Sequence, residues 1–474
     1  MKKFSTKVGS VHFVGIGGIG MSGIADILIN LGYKVSGSDL RSNLLISKLE
    51  RKGALISIGH KSANVHGASV VVVSSAVLSD NPEILEARRL KIPVVKRAEM
   101  LAELMKMKFS IAVAGTHGKT TTTSMIAALL DQASLDPTVI NGGVINAYNS
   151  NSRLGSGDWI VVEADESDGS FTRLISTIAV VTNINFDHKN NFKNFEELSG
   201  MFRYFVESIP FYGVAILCWD HPEVQKIAKQ IIDRKIITYG LDREADVSCS
   251  NVKLSTSGAI FDVIFSQNIV QKYNLQSQVW KNFSQSMYGE HNVQNVLAAI
   301  SVGLELNISE DIMRIAVGSF MGVKRRFTCV GSVNGASIID DYAHHPVEIR
   351  AVLRAARVSC EGKIFAIIQP HRHTRLESFL HEFADALELG DYVFVAPIYS
   401  AGEQNNGVDH FTLLEKIQEN AVVKSEFVAD VQSLAKKIVD QVTAGDFIVF
   451  LGAGDITNWA HELANICSGN LKLG

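Results

Sequence analysis

The stretch Ala114-Gly115-Thr116-His117-Gly118-Lys119-Thr120 follows the apolar run 109–113 and leads into a helical pattern over 121–130. A strand, a glycine turn and a helix in that order make an anion cradle, because backbone N–H groups and the positive end of the helix face one point. Lys119 then reaches the terminal phosphates of a nucleoside triphosphate, and Thr120 offers a hydroxyl to Mg2+. The spacing departs from the standard P-loop, which has four residues between its first glycine and the Gly-Lys pair. Here only Thr116 and His117 separate Gly115 from Gly118. Gly115, Thr116, His117, Gly118, Lys119, Thr120 and Thr121 are the candidate ATP-binding residues.

A magnesium-bound nucleotide needs hard oxygen ligands at neighbouring strand ends. Glu163 closes the apolar run 159–162, and Asp165, Glu166 and Asp168 follow it. His188 follows a second run, 178–182, by way of Asn183 and Asn185. Thr120, Glu163 and the acidic run Asp165, Glu166 and Asp168 are the candidate metal ligands, whereas a lone histidine such as His188 is usually only hydrogen-bonded.

Short apolar strands alternating with amphipathic helices extend from this loop in both directions, a pattern that builds parallel sheets. Upstream, Gly15-Ile16-Gly17-Gly18-Ile19-Gly20 lies between the first strand and the first helix, with Asp39 at the spacing of a ribose-binding carboxylate. Taken alone, this reads as a nicotinamide site. Its physical content is a diphosphate on a helix N-terminus with a carboxylate near a ribose, and a UDP group meets both. A separate ATP loop favours a nucleotide-linked substrate over a nucleotide-sugar dehydrogenase.

Residues 246–281 alternate in the antiparallel manner, and an apolar helix over 293–306 closes that segment. Downstream, Asn334-Gly335 between two apolar runs predicts a hairpin, followed by strands at 364–368, 392–396 and 447–451. Boundaries near 107 and 322 divide the chain into units 1–107, 108–321 and 322–474. The last unit carries Lys324-Arg325-Arg326, Asp340-Asp341-Tyr342-Ala343-His344-His345-Pro346 and Gln369-Pro370-His371-Arg372-His373-Thr374-Arg375. Guanidinium groups recognise phosphate or carboxylate bidentately and keep their charge when desolvated. Gly452-Ala453-Gly454-Asp455 ends the last strand and reads either as a ligand loop or as a tight turn.

The 474 residues exceed one ordinary core, and 46% hydrophobic with 20% charged residues describes a packed globular protein. A formal charge of -4 gives no global attraction to nucleic acid or anionic membrane. The five cysteines are odd in number and lack a CxxC pair, which argues against a disulfide framework or structural zinc and fits a reducing cytoplasm. No segment reaches about 18 strongly apolar residues, so no membrane span is expected.

Taken together, the segment from His12 to Gly23, the GTHGKT loop, Glu163-Ala164-Asp165-Glu166-Ser167-Asp168, Gly289-Glu290-His291-Asn292 with Asn295, and the two C-terminal clusters resemble the Mur ligases of bacterial peptidoglycan synthesis. The resemblance covers nearly the whole chain. It implies an α/β protein of three domains: a Rossmann-like UDP-sugar domain, a central P-loop ATPase-like domain and a C-terminal Rossmann-like domain that closes with the amino acid. It implies an ATP- and Mg2+-dependent ligase that is a monomer or homodimer. His291, Asn292 and Asn295 would line the ATP site, and Arg326 would reach its phosphates. Tyr342, His344, His371, Arg372 and Arg375 would surround the amino acid and the sugar carboxylate, while Gly17, Asp39, Ser74 and Ser75 would contact the UDP-sugar. Thr120, Glu163 and His188 would hold Mg2+, and Lys119, His188, Arg326, His344, Arg372 and Arg375 would be catalytic.

Asn185 stands where relatives often carry an acidic residue. The segment 196–204 lacks the lysine that several relatives carbamylate, so no carbamylated lysine is expected. The QPHRHTR segment resembles that of members that add L-alanine to UDP-N-acetylmuramate, rather than members that add a tripeptide.

Overall fold

The computed structural model describes residues 9–74, 76–167, 169–186, 192–255, 258–420 and 422–467. Ser75, Asp168 and His188 lie outside the described residues. The described residues form three sheets. The first holds five parallel strands in the order Leu55–Ile58, Val35–Asp39, Ser10–Val14, Ala68–Val73 and Val94–Lys96. Its strand order reverses beside Ser10–Val14, so the glycine turn that follows this strand opens at the point where α/β sheets place ligands.

The second sheet has ten strands. Its parallel centre runs Lys235–Tyr239, Val214–Cys218, Ile178–Val181, Phe109–Ala114, Trp159–Glu163 and Thr138–Ile145, with Ser150–Arg153 antiparallel at one edge. The strands Thr138–Ile145 and Ser150–Arg153 escape the sequence reading. Asn141, Gly142 and Gly143 interrupt the first with residues that favour turns; Val139 and Ile140 before them pair with strands on both sides, and the register shifts before Ile145.

The third sheet has six strands in the order Thr328–Val333, Ala336–Asp341, Phe447–Leu451, Ile364–Ile368, Tyr392–Val395 and Lys424–Phe427. Its first two strands form the expected hairpin, with Val333 opposite Ala336. Asn334 (φ 50) and Gly335 (φ 82) are the two left-handed residues that a type I′ turn requires. Separate apolar cores cover the two faces of this sheet, one around Leu353, Leu387 and Val449, the other around Phe365, Phe450 and Leu463.

Two compact units emerge from the packing: 1–251 with 261–283 and 294–322, and 252–260 with 284–293 and 323–474. The first sheet and the parallel centre of the second share a unit and one continuous core, in which Phe13, Ile24 and Leu28 join Ala112, Val162 and Phe202. Helix Ile19–Asn30 is the seam. Its Gly23 packs against Asn151, Ile140 and Ser152, its buried Asp26 accepts a hydrogen bond from Ser152 Oγ (3.0 Å), and Asn151 Nδ2 donates to Ile19 O (2.5 Å).

A second buried polar group ties the first sheet together. Glu83, fully buried, takes Ser38 Oγ (2.7 Å) and His12 Nε2 (3.1 Å) on one oxygen, and Asn64 Nδ2 (2.6 Å) and Lys61 N (3.1 Å) on the other. Among the described residues, no helix is long and apolar enough to cross a membrane.

Candidate active site

The GTHGKT loop is built as its sequence dictates. Strand Phe109–Ala114 ends at Gly115, whose φ of 137 and contact with Thr182 exclude a side chain, since a Cβ there would collide with the Thr182 hydroxyl. Helix Lys119–Gln132 starts two residues earlier than its apolar pattern, capped by Gly118 in the left-handed region (φ 81). The segment after Ile178–Val181 clamps the loop. Asn183 Oδ1 accepts from His117 N (2.8 Å), Thr182 Oγ1 donates to His117 O (2.6 Å), and Asn185 N donates to Thr116 Oγ1 (2.8 Å). Asn185, expected to bear on a metal shell, thus fixes the loop through its backbone. Asn295 is brought to the loop, accepting from Thr122 Oγ1 (3.0 Å) next to Gly118.

Lys119 is folded back on its own loop. Its Nζ donates to Gly115 O (2.5 Å) and Thr116 O (3.0 Å) and lies 2.7 Å from Glu166 Oε2. Burial alone would lower the Lys119 pKa, but Glu166, Glu163 and Asp165 outweigh it and hold the ammonium charged. Burial pushes Glu166 up to about 7, against the pull of Lys119. A nucleotide phosphate arriving in the cradle therefore competes with Glu166 for a cation that is already positioned.

Glu163 Oε2 accepts from Gly142 N (2.8 Å), and Thr120 is buried at the first turn of the loop helix. Among the described residues, no group of three or more His, Cys, Asp or Glu could hold a metal ion. A hydroxyl and a carboxylate nonetheless fit Mg2+, which keeps several waters and takes its remaining ligands from substrate phosphates.

A cavity of about 210 Å³ joins this region to the glycine turn of the first sheet. Gly18, Gly20 and Ser74 line one side, and Asn141, Gly142, Glu163 and Asp165 line the other, with Arg97 between them. Gly17 and Asp39 sit together, but Asp39 Oδ2 accepts from Gly17 N (2.8 Å) and Oδ1 from Leu40 N (2.7 Å). Asp39 therefore shapes the turn itself. Sequence reasoning missed Arg97, Asn141 and Gly142 because none belongs to a motif.

The second unit gathers the C-terminal residues. Tyr342, His344 and His371 meet edge to face, with centroids 5.2 and 5.7 Å apart, and His371 stacks on Tyr399 (5.5 Å). Arg375 Nη1 lies 3.4 Å from His371 Nδ1. Burial, then the charges of His344 and the nearby arginines, lower the His371 pKa to about 3, so its imidazole is neutral. Arg372 adopts φ 67, ψ 136, a strained backbone for a residue with a Cβ, held by Arg372 N donating to Tyr399 O (2.8 Å).

Arg325 and Arg326 both face the Tyr342 ring, at 4.8 and 5.3 Å, yet they differ. Arg325 donates to Gly452 O (2.5 Å) and Gly454 O (3.1 Å), so this arginine pins two carbonyls of the segment 452–455. Among the described residues Arg326 makes no such side-chain bond; burial first, and then the charge of Arg326, lower the His291 pKa to about 4. Asn292 Nδ2 donates to Tyr288 O (2.7 Å) and lies 3.1 Å from His291 Nε2.

Three family descriptions match in sequence: "Mur ligase family, catalytic domain" over 10–109, "Mur ligase middle domain" over 113–303 and "Mur ligase, glutamate ligase domain" over 325–454. The chain belongs to the Mur ligase family, which makes it an α/β ligase and removes the dehydrogenase alternative. It is 51% identical to the UDP-N-acetylmuramate--L-alanine ligase of Maricaulis maris over 96% of this chain and 97% of that protein. It is likewise 51% identical to the protein of the same name from Paramagnetospirillum magneticum, over 98% and 97%. Among solved structures, a UDP-N-acetylmuramate-alanine ligase from Thermotoga maritima matches with a TM-score of 0.82 at 28% identity, covering 98% and 100% of the two chains. A murein peptide ligase from Psychrobacter arcticus matches with a TM-score of 0.70 at 25% identity, over 98% and 99%.

Proposed function

We propose that this chain is an ATP-dependent ligase that joins L-alanine to the carboxylate of UDP-N-acetylmuramate in peptidoglycan precursor synthesis, acting in the cytoplasm as a monomer or homodimer. The observation that carries it is the cavity lined both by the glycine turn of the first sheet and by Glu163 at the ATP strand ends. A nucleotide-linked acid spans those two features, whereas a nicotinamide would need only the first. The half-identical relatives named for alanine favour that acceptor over a tripeptide.

The chemistry answers a leaving-group problem: an amine attacking a carboxylate would have to expel oxide. The sugar carboxylate instead attacks the γ-phosphorus of ATP, ADP leaves, and an acyl phosphate results. The neutral amine of alanine adds to that carbonyl, phosphate departs and the amide forms. Lys119 stabilises charge on the transferring phosphoryl group, with Arg326 as a second cation. Thr120, Glu163 and His188 would hold Mg2+, which would supply neutralisation of the phosphate charge when bound. Gly115 to Thr121 cradle the phosphates through backbone N–H groups, and His291, Asn292 and Asn295 serve the nucleotide.

Neutral His371 with His344, Tyr342, Arg372 and Arg375 serves alanine and the sugar carboxylate. Gly17, Ser74 and Ser75 serve the UDP group, with Asp39 shaping their turn. In this reading the UDP-sugar, ATP and amino-acid domains span 1–107, 108–321 and 322–474. Phosphate release is to be measured with UDP-N-acetylmuramate and ATP, adding L-alanine or the tripeptide L-alanyl-γ-D-glutamyl-meso-diaminopimelate. Release with alanine and not with the tripeptide is expected; the reverse preference, or none with either, overturns the assignment.

A further inference from the structure

Granted a UDP-linked acid as first substrate, we infer that Arg97 grips an oxyanion of that substrate, and that Asp165 is the stand-in anion that holds Arg97 until the substrate arrives. Arg97 opens helix Arg97–Met105 and packs over Gly20, where a Cβ would lie 3.1 Å from Nη1. It is the single cation among the described residues lining the cavity, while Glu163 and Asp165 place two carboxylates there. An anionic substrate entering such a space is repelled unless a cation answers it.

Arg97 Nη2 meets Asp165 Oδ2 at 3.0 Å, and no other hydrogen-bond partner of this guanidinium appears among the described residues. A guanidinium carries five N–H donors in a fixed fork, so most remain available for a bidentate oxyanion. Asp165 is held in place by Ser167 N donating to its other oxygen (3.0 Å). The pair keeps access to solvent, with side chains 18% and 40% exposed.

The neighbouring residue repeats the arrangement. Glu166 holds Lys119, the cation for ATP, as Asp165 holds Arg97. Two consecutive carboxylates thus keep the cation of each substrate oriented, and each substrate displaces its own surrogate. Pre-placing a guanidinium in this way lowers the entropy lost on binding. The oxyanion belongs either to the diphosphate or to the sugar carboxylate, and both sources have the same chemistry toward Arg97.

The test uses the full chain with Arg97→Gln, Arg97→Lys and Asp165→Asn. Calorimetry measures Kd for UDP, UDP-N-acetylglucosamine and UDP-N-acetylmuramate, and steady-state assays give kcat and KM. Arg97→Gln is expected to raise KM for UDP-N-acetylmuramate by about 10- to 100-fold, with kcat and the KM for ATP much less affected. Arg97→Lys recovers part of the loss, and Asp165→Asn leaves KM unchanged or lower. Weakening with all three nucleotides assigns the diphosphate; weakening confined to UDP-N-acetylmuramate assigns the carboxylate.

An unchanged KM in Arg97→Gln overturns the inference. So does an equal rise in Arg97→Gln and Asp165→Asn, which would mark the pair as a structural tie. Wild-type protein that binds none of the three nucleotides refutes the proposed function itself, a result separable from failure of the variants.

Discussion

Lys119 Nζ lies 2.7 Å from Glu166 Oε2, with both side chains almost out of solvent. Removing a cation from such a pair normally strands a buried charge. Glu166 escapes that cost, because burial already holds its pKa near 7 and loss of Lys119 drives it to the neutral acid. Lys119→Ala should therefore melt within a few degrees of the wild type while turnover falls by about 1000-fold or more. Phosphate release and a thermal melt on the same preparation decide the matter, and near-normal turnover would remove the loop's assigned role.

Gly142 is placed to report on Glu163. A Cβ there would stand 2.5 Å from both carboxylate oxygens, and the Gly142 N–H already orients one of them. Gly142→Ala should displace Glu163 and weaken the apparent affinity for Mg2+ by about 10- to 100-fold, the scale found when the support of a metal ligand is lost. Titrating activity against Mg2+ reads the shift; an unaltered midpoint would separate Glu163 from the metal.

Glu83 predicts a pH signature. Burial pushes its pKa up, but hydrogen bonds with His12, Ser38 and Asn64 prevail and lower it from 4.5 to about 2. A carboxylate depressed by folding stabilises the protein above its unfolded pKa and loses that contribution as pH falls toward the folded value. The window is therefore pH 4.5 down to about 2, and the size is about 3 kcal/mol. Glu83→Gln should be less stable than wild type at pH 7, with the gap narrowing by pH 3 in urea melts. A gap of constant size would contradict the depressed carboxylate.

His371 should not titrate in the physiological range. Its imidazole resonances are expected to stay those of the neutral ring down to about pH 4, because burial and neighbouring cations oppose a charge there. An NMR inflection between pH 6 and 7 would show that the cluster is more hydrated than its geometry implies.

Adjacent arginines should part company. Arg325→Ala removes donors to Gly452 O and Gly454 O and should lower stability by about 2 kcal/mol. Arg326→Ala should melt like wild type and slow turnover by about 100-fold or more. The reverse pattern in melting and phosphate release would exchange their roles.

Much of this was legible beforehand because strand, glycine turn and helix are local. The GTHGKT loop, the turn at Gly15 to Gly20 and the hairpin at Asn334-Gly335 each declare themselves within a dozen residues. Thr138–Ile145 did not, since Asn141-Gly142-Gly143 gives it turn character, and the strand is defined by the pairing of Val139 and Ile140 with strands on both sides. Arg97 was silent for the same reason: an arginine at the start of an ordinary helix acquires meaning only when folding brings Gly20 beneath it and Asp165 against it. Asp39 fitted a ribose-binding spacing, yet the spacing equally serves a carboxylate that shapes the Gly17 turn.

Helix Ile19–Asn30 joins the first two sheets through Asp26, Asn151 and Ser152. On the proposed function, the seat for a diphosphate and the lysine for ATP are cut into the same block, and the gap between them would act as a gauge. An acid mounted on too short or too long an arm would present its carboxylate off target, so this seam would screen substrates by reach before any bond is made.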